Sequence, residues 1–282
     1  IKRVLSVLKI FKKVIIYSKI SDVSYFTISE SKLGNIKDLI ILLILFNHLD
    51  KVVLHLHGGS LARNVLSNKF MKKINNYFYK RVKRIIISGK SHKVIFKSIE
   101  KNKIYILPNC IPDNFFIKYE KIEKKFENNN LVISYVSLMD QNKGYLDLFN
   151  GFKNLNKNLS SNLELNFAGG FSQIEDKVNF EDSIRNHKNI KYHGIISEKD
   201  KINLFHKTHI FILPTRYFEG QPISILEAYS SACVVVTTNK PGINDIFDNE
   251  KNGFIIKDNS SSVISEILIK ILNNKEKLLS IA

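Results

Sequence analysis

Cysteine is scarce in this chain of 282 residues, which holds only Cys110 and Cys233. Two thiols in so long a sequence make no disulfide framework, and their separation is not that of a metal-ligand pair. Both read as small packed side chains of a reduced, cytoplasmic protein. Long apolar stretches are missing too. The longest unbroken run, Leu39–Phe46, has eight residues, whereas a membrane-spanning helix takes about 20. No secretory leader is evident, and no Asp-x-Asp pair stands ready for a divalent metal. Acids are scarce in one half only. Residues 1–125 carry 26 lysines and arginines against 8 acids, and residues 126–282 carry 17 against 18. The whole +17 excess therefore lies in the first half. Such asymmetry fits a half that meets an anionic surface, membrane or nucleic acid. It fits equally a lysine-rich, solvated exterior in a chain rich in Asn, Ile and Lys.

What is present is an alternation of apolar β-branched runs with amphipathic stretches. In the first half "KKVIIYS" (12–18), "KVVLHLHG" (51–58), "VKRIIIS" (82–88) and "KIYILPN" (103–109) read as strands. Short, nearly unbroken apolar runs suit parallel strands buried on both faces. Gly34–Leu49 and Ser67–Arg84 read as helices, the second with Phe70, Ile74 and Phe78 on one face. Residues 118–130, "KYEKIEKKFENNN", keep no apolar period and read as a linker. A second set follows at 131–137, 163–169, 190–194, 209–215, 233–238 and 253–257, with helices between. The expectation is two doubly wound α/β domains, at 1–122 and 131–282, joined by a linker at 123–130. In such sheets ligands bind beyond the carboxyl ends of the strands, so the loops after strands deserve the closest reading.

Five such loops stand out. "HLHGGS" (55–60) ends a strand at His57, where an imidazole can donate to a sugar hydroxyl or a phosphate. Gly58 and Gly59 would let the backbone approach a ligand or take positive φ. His55 and His57 share a strand face, so packing alone is the competing reading. In "VSLMDQNKGYLDLF" (136–149), Lys143-Gly144 opens a helix whose N-terminus attracts anions, with Lys143 adding a point charge. "NFAGGF" (166–171) reads as a turn, and "TTNKPGINDIF" (237–247) as a βα turn that could border the same site. The fifth, "PTRYFEGQPISILEAYS" (214–230), is the most informative. Pro222 suits a helix start, and the amides around Gly220, Gln221 and Ile223 would face an anion. Glu219 precedes that helix and can accept from sugar hydroxyls. Glu227 lies one to two turns inside it, where a carboxylate can take both hydroxyls of a ribose. Capping would explain Glu219 but not Glu227.

These segments resemble family 4 glycosyltransferases of the bacterial surface-polysaccharide type, retaining enzymes with the GT-B fold. "FEGQPISILEAYSSACVVVTTNKPGINDIFDNEKNGFII" resembles their donor-site core, with two glutamates separated by seven residues. "ILPNCIPDNFF" (106–116), "YVSLMDQNKGYLDLFNGF" (135–152) and "KNIKYHGIISEKDKINLFHKTHIFILPT" (188–215) resemble further family segments. The resemblance implies two Rossmann-like domains flanking a cleft. It implies that Glu219 contacts the donor sugar, Glu227 holds the nucleotide ribose and Lys143 neutralises the diphosphate. Gly220, Gln221, Pro222 and Ile223 would border the sugar and diphosphate, Pro222 through its carbonyl only. His57 matches the family's N-domain histidine. There are departures. Ser137 and Leu138 stand where the family usually has Gly-Arg, which leaves Arg216 as a candidate substitute, and Asn109-Cys110 replaces Asn-Gly. The chain starts at Ile1, lacks a recognisable first strand with its glycine loop, and stops at Ala282 before the usual closing helices. A chain shortened at both ends is therefore expected.

The function this implies is transfer of a hexose from a nucleotide diphosphate sugar to a lipid-linked or polysaccharide acceptor. With no Asp-x-Asp pair in the chain, no required divalent metal is expected, and no cofactor. The basic first half would then face the anionic inner surface of the cell membrane through "KFMKKINNYFYKRVKR" (69–84), making the protein peripheral. A catalytically silent sugar-nucleotide-binding protein on the same fold is the alternative. A nucleic-acid-binding protein is a further one, though no such motif occurs and it leaves Glu219 and Glu227 unexplained.

Overall fold

Nearly continuous apolar strands of four to six residues dominate both sheets, and every strand pair is parallel. The computed structural model describes residues 2–127 and 130–282. The chain divides into two units. The first comprises Ile1–Asn109, Phe218–Gln221 and Pro241–Asp245, and the second Cys110–Tyr217, Pro222–Lys240 and Ile246–Ala282.

The first unit holds a four-stranded sheet in sequential order, β1 (Ser24–Thr27), β2 (Val52–Leu56), β3 (Arg84–Ile87) and β4 (Ile104–Ile106). Its helices are α1 (Lys2–Tyr17), α2 (Lys32–Ile44), α3 (Leu61–Asn64) and α4 (Lys69–Tyr79). Val52, Leu54, Leu56, Ile85 and Ile87 are fully buried against Leu42, Leu45 and Tyr79. Each such burial contributes about 1.5–3 kcal/mol. Two helices start on side-chain caps: Ser31 Oγ accepts from Gly34 N, and Asn68 Oδ1 from Met71 N. Between them Asn35 and Asn75 are buried and exchange two amide hydrogen bonds of 3.0 and 2.8 Å, so neither is left unsatisfied.

The second unit opens with α5 (Tyr119–Phe126) and builds a six-stranded sheet in the order β10-β9-β8-β5-β6-β7. Its strands are β5 (Leu131–Val136), β6 (Leu163–Ala168), β7 (Ile190–Tyr192), β8 (Ile210–Leu213), β9 (Val234–Thr238) and β10 (Gly253–Ile256). The helices are α6 (Tyr145–Lys153), α7 (Lys157–Ser160), α8 (Ile174–Ile184), α9 (Glu198–Lys207), α10 (Ile223–Ser230), α12 (Ser261–Leu272) and α13 (Leu278–Ile281), while α11 (Pro241–Asn244) belongs to the first unit. The chain runs outward from β5 in one direction, returns, and runs outward from β8 in the other. The carboxyl ends of the adjacent β5 and β8 are thus a topological switch point, the place where open α/β sheets bind ligands. Phe180 centres the core on one face, with Tyr145, Phe149, Phe167 and Tyr192 at ring-centroid distances of 5.1–5.9 Å.

The structure differs from the sequence reading in particular places. "KKVIIYS" is the end of helix α1, not a strand: Phe11 and Val14, three apart, pack against the first unit's core, where α1 meets α2, a helical period hidden in a β-branched run. The first strand is Ser24–Thr27, which the sequence reading passed over. The helix at 67–84 is Lys69–Tyr79. It buries Asn75, Phe78 and Tyr79 and leaves Phe70 70% exposed. Part of the expected 123–130 linker is helical, because α5 extends to Phe126; Asn128 and Asn129 lie outside the described residues. Lys125 Nζ donates to the carbonyls of Ser231 and Ala232, both at 2.8 Å, and Phe126 packs edge-on to His209, so this stretch belongs to the second unit. Cys233 is buried as expected, and Cys110 is exposed rather than packed. Among the described residues no helix is long and apolar enough to cross a membrane.

Candidate functional site

In the first unit, Glu219, Gly220 and Gln221 lie beside the loop that follows β2, where His57 stands. The close fit is made by glycines. A Cβ on Gly220 would come 1.6 Å from the His57 carbonyl oxygen, and one on Gly59 2.4 Å from the Glu219 carbonyl oxygen. A Cβ on Gly242, in α11, would meet the Gly220 oxygen at 1.4 Å. Gly59 N donates to the Phe218 carbonyl at 3.2 Å. Neither Gly58 nor Gly59 has positive φ. Gly59 admits close passage of one backbone over another and Gly58 admits the Glu30 carboxylate, rather than the turn conformation that the sequence reading allowed.

Four residues to which the sequence reading assigned no role fix this arrangement. Glu30 accepts from the backbone amides of Gly58, Ser60 and Leu61, while burial, aided by the Glu219 charge, pushes its pKa up. His92, 2% exposed, contacts the Glu219 carbonyl through Nε2 at 3.3 Å, and burial lowers its pKa. Asp245 accepts from Ser91 N and from Ser91 Oγ, the latter at 2.6 Å. Asn109 and Gln221 lock together: Asn109 N donates to Gln221 Oε1 at 2.6 Å, and Asn109 Nδ2 to the Gln221 carbonyl at 2.7 Å. The buried Gln221 side chain is thus spent on holding the loop. His57 is exposed, and its ring lies 3.8 Å from that of the buried His55. His55 Nδ1 shares a 2.6 Å hydrogen bond with Tyr25 Oη, and burial together with His57 lowers its pKa. Of these, Asn109 and Asp245 sit in segments that the resemblance had marked.

In the second unit, Lys143, Pro222, Ile223 and Glu227 are placed by the loops after β5 and β8. Lys143 ends a short 3-10 turn. Gly144 follows at φ +85 and its Cβ position is blocked by the Pro214 carbonyl oxygen at 2.3 Å, so the two loops touch at the switch point. Lys143 Nζ lies 5.6 Å from the Tyr217 ring centroid. Pro222 is the N-cap of α10 and has no side chain that can cap. The first turn therefore carries amide donors without a side-chain acceptor. Glu227 is 4% exposed, and its Oε1 accepts from Lys201 Nζ of α9 at 2.5 Å. Lys201 is a partner that nothing in the local sequence announces. Arg216, the candidate substitute for the family arginine, is engaged elsewhere. Its guanidinium forks onto the Asp147 carboxylate, which raises its pKa, and also donates to the Gln141 and Asn259 carbonyls. Among the described residues no three His, Cys, Asp or Glu side chains gather as a metal site.

The strand-end loops of the second unit thus gather backbone amides, a lysine and a buried carboxylate, chemistry suited to an anionic, hydroxyl-bearing ligand. The chain belongs to the family of glycosyl transferases group 1, whose model matches residues 116–282, more than half its length. It is 28% identical over 193 residues to the capsular polysaccharide biosynthesis glycosyltransferase CapM of Staphylococcus aureus, covering 65% of this chain and 50% of that protein. It is 23% identical over 239 residues to the uncharacterized glycosyltransferase MJ1069 of Methanocaldococcus jannaschii, covering 79% of this chain and 60% of that one. The chain thus spans about half the length of the curated relatives it matches. Among solved structures it resembles Anabaena Alr3699/HepE in complex with UDP and glucose, with a TM-score of 0.73 at 16% identity over 96% of this chain and 74% of that one. Sucrose-phosphate synthase from Thermosynechococcus elongatus gives a TM-score of 0.72 at 9% identity, over 98% and 71% of the two chains. The GT-B fold class expected from the sequence is the one found.

Proposed function

We propose that this chain serves a retaining glycosyltransferase that moves a hexose from a nucleotide diphosphate sugar to a lipid-linked or polysaccharide acceptor in surface-polysaccharide synthesis. The observation that carries the reading is the start of α10. Along the chain, an uncapped helix N-terminus at a switch point falls between Glu219, three residues ahead of Pro222, and the buried, lysine-paired Glu227. Glu227 would take the ribose hydroxyls, and Lys201 would hold its carboxylate in place. The amides at Ile223 and beyond, with Lys143, would face the diphosphate. Glu219 would accept from the sugar's hydroxyls, and His57, whose carbonyl packs on Gly220, would donate to the same sugar. Gln221 would act by fixing the loop through Asn109. Relatives named for capsular polysaccharide synthesis and a neighbour holding UDP and glucose support the donor class and the pathway.

In the reaction the acceptor hydroxyl oxygen bonds to the anomeric carbon from the face that the diphosphate leaves. The bond from that carbon to the diphosphate oxygen breaks, and the hydroxyl proton passes to the departing diphosphate. Negative charge grows on the diphosphate as it leaves, so Lys143 and the α10 amides stabilise the transition state more than the ground state. No divalent metal and no cofactor enter this scheme. The exposed basic face of α4, with Phe70 among Lys69, Lys72 and Lys73, would bring the protein to an anionic membrane surface where lipid-linked acceptors lie.

The test is transfer of labelled sugar from a panel of nucleotide diphosphate sugars to lipid-linked acceptors. Glu219→Gln is expected to lower kcat/KM by about 10²-fold or more, roughly 2.7 kcal/mol of barrier, with unchanged melting temperature. Full activity of that variant, or a product of inverted configuration, contradicts the proposal.

A further inference from the structure

Beyond the loops at the strand carboxyl ends, the second unit has a cavity at the opposite, amino end of its sheet. Its volume is about 940 Å3, within the roughly 300–1,000 Å3 of small-ligand sites. It opens beside Val132 at the start of β5, Leu163 at the start of β6 and His209 just before β8. Six lysines line it: Lys121, Lys124, Lys125, Lys188, Lys191 and Lys207. The single acid in its wall is Glu164.

The local charges do not balance. Glu164 is taken by Lys191 at 2.5 Å. Lys125 is engaged with the Ser231 and Ala232 carbonyls, and burial lowers its pKa. Lys121, Lys124, Lys188 and Lys207 have no carboxylate partner among the described residues. Four like charges around one cavity repel one another, and the concave wall concentrates their field. This happens in a stretch where acids are not short, since residues 126–282 carry 18 of them. The amide side chains of Asn162 and Asn203 add further hydrogen-bond donors to the same wall.

We propose that this cavity is a second ligand site, separate from the donor site, that takes a ligand bearing several phosphate groups. Four lysines around one cavity match a multiply charged phosphate better than a single carboxylate, because each lysine acts as a point charge toward oxygens spread over the ligand. Two sources share this chemistry: a soluble oligophosphate and a phosphate-bearing lipid headgroup. The site lies at the opposite end of the sheet from Lys143 and the first turn of α10, so its occupant does not compete for the donor diphosphate.

The probe is inorganic tripolyphosphate, titrated calorimetrically at low salt into the intact chain. Saturable binding is expected, weakened about tenfold or more when Lys121, Lys124, Lys188 and Lys207 are all replaced by Gln. Two controls fix the location. Lys143→Gln, at the donor loop, retains the cavity's binding. An equal loss of charge on and just beyond α1, with Lys9, Lys12, Lys13 and Lys19 replaced by Gln, retains it too. Thermal melting confirms that the variants are folded. A second arm measures flotation with vesicles containing phosphatidic acid. Loss of vesicle binding in the cavity variant supports the site with a lipid headgroup as the source, and unchanged vesicle binding supports it with a soluble one. Absence of tripolyphosphate binding, or equal binding by the wild type and the cavity variant, overturns the proposal whatever the outcome of the sugar-transfer assay.

Discussion

At Gly220 the sequence shows a glycine between an acid and a Gln-Pro pair, and a turn is the natural reading. The actual constraint is that the carbonyl of His57, distant in sequence, occupies the place of its Cβ. Such contacts leave no local trace, and the same holds for Asn109 with Gln221 and for Lys201 with Glu227. His209 shows a residue whose role follows from its hydrogen bonds. Its Nδ1 accepts from Val132 N at 3.0 Å, while Nε2 lies 2.7 Å from the Lys125 carbonyl and must carry the proton. Protonating Nδ1 would set two N–H groups against each other. Burial depresses the pKa from about 6.5 to about 4, with Lys125 adding repulsion. The unfolded chain therefore takes up a proton in a range where the folded chain does not. This contribution is fully present above pH 6.5 and is lost as pH falls toward 4, on the order of 2–3 kcal/mol. Urea midpoints measured from pH 7.5 to 4.5 should fall for the wild type and fall less for His209→Gln; parallel curves would contradict the assignment.

Among the elements, the sequence was most legible where periodicity and length agreed. The six strands of the second unit were all expected within a residue or two, because each is an apolar run bounded by Gly, Pro or Asn. Helix α1 was not, since Val14, Ile15 and Ile16 favour a strand locally, and the packing of Phe11 and Val14 against the first unit's core decides otherwise. Helix α4 was expected, but its inward face was misassigned: Asn75 is buried by pairing with Asn35, which hydropathy does not foresee, and Phe70 faces outward. That outward face carries a prediction. With each cation near an anionic bilayer worth about 1 kcal/mol, Phe70→Ser with Lys72→Gln and Lys73→Gln should weaken binding to phosphatidylglycerol vesicles by about tenfold or more. Sedimentation with vesicles checks it, and undiminished binding removes α4 from the membrane contact.

Over the whole molecule, the division into two parallel α/β units was legible from strand and helix alternation. The strand order that makes the β5–β8 switch point was not, because it depends on which strands pair across long stretches of sequence. Nor was the grouping of Phe218–Gln221 and Pro241–Asp245 with the first unit, which rests on glycines that admit close backbone passage. The pair Glu219 and Glu227 does stand out in the sequence, as two acids around a helix start that resemble a known pattern. The proposed role of this pair is to hold a nucleotide diphosphate sugar. Isothermal titration of the chain with such sugars, UDP-glucose among them, tests it most directly. Saturable binding of at least one donor, weakened about tenfold or more by Glu227→Gln, is the predicted result. No binding of any donor, or equal affinity in the Glu227→Gln variant, would contradict it.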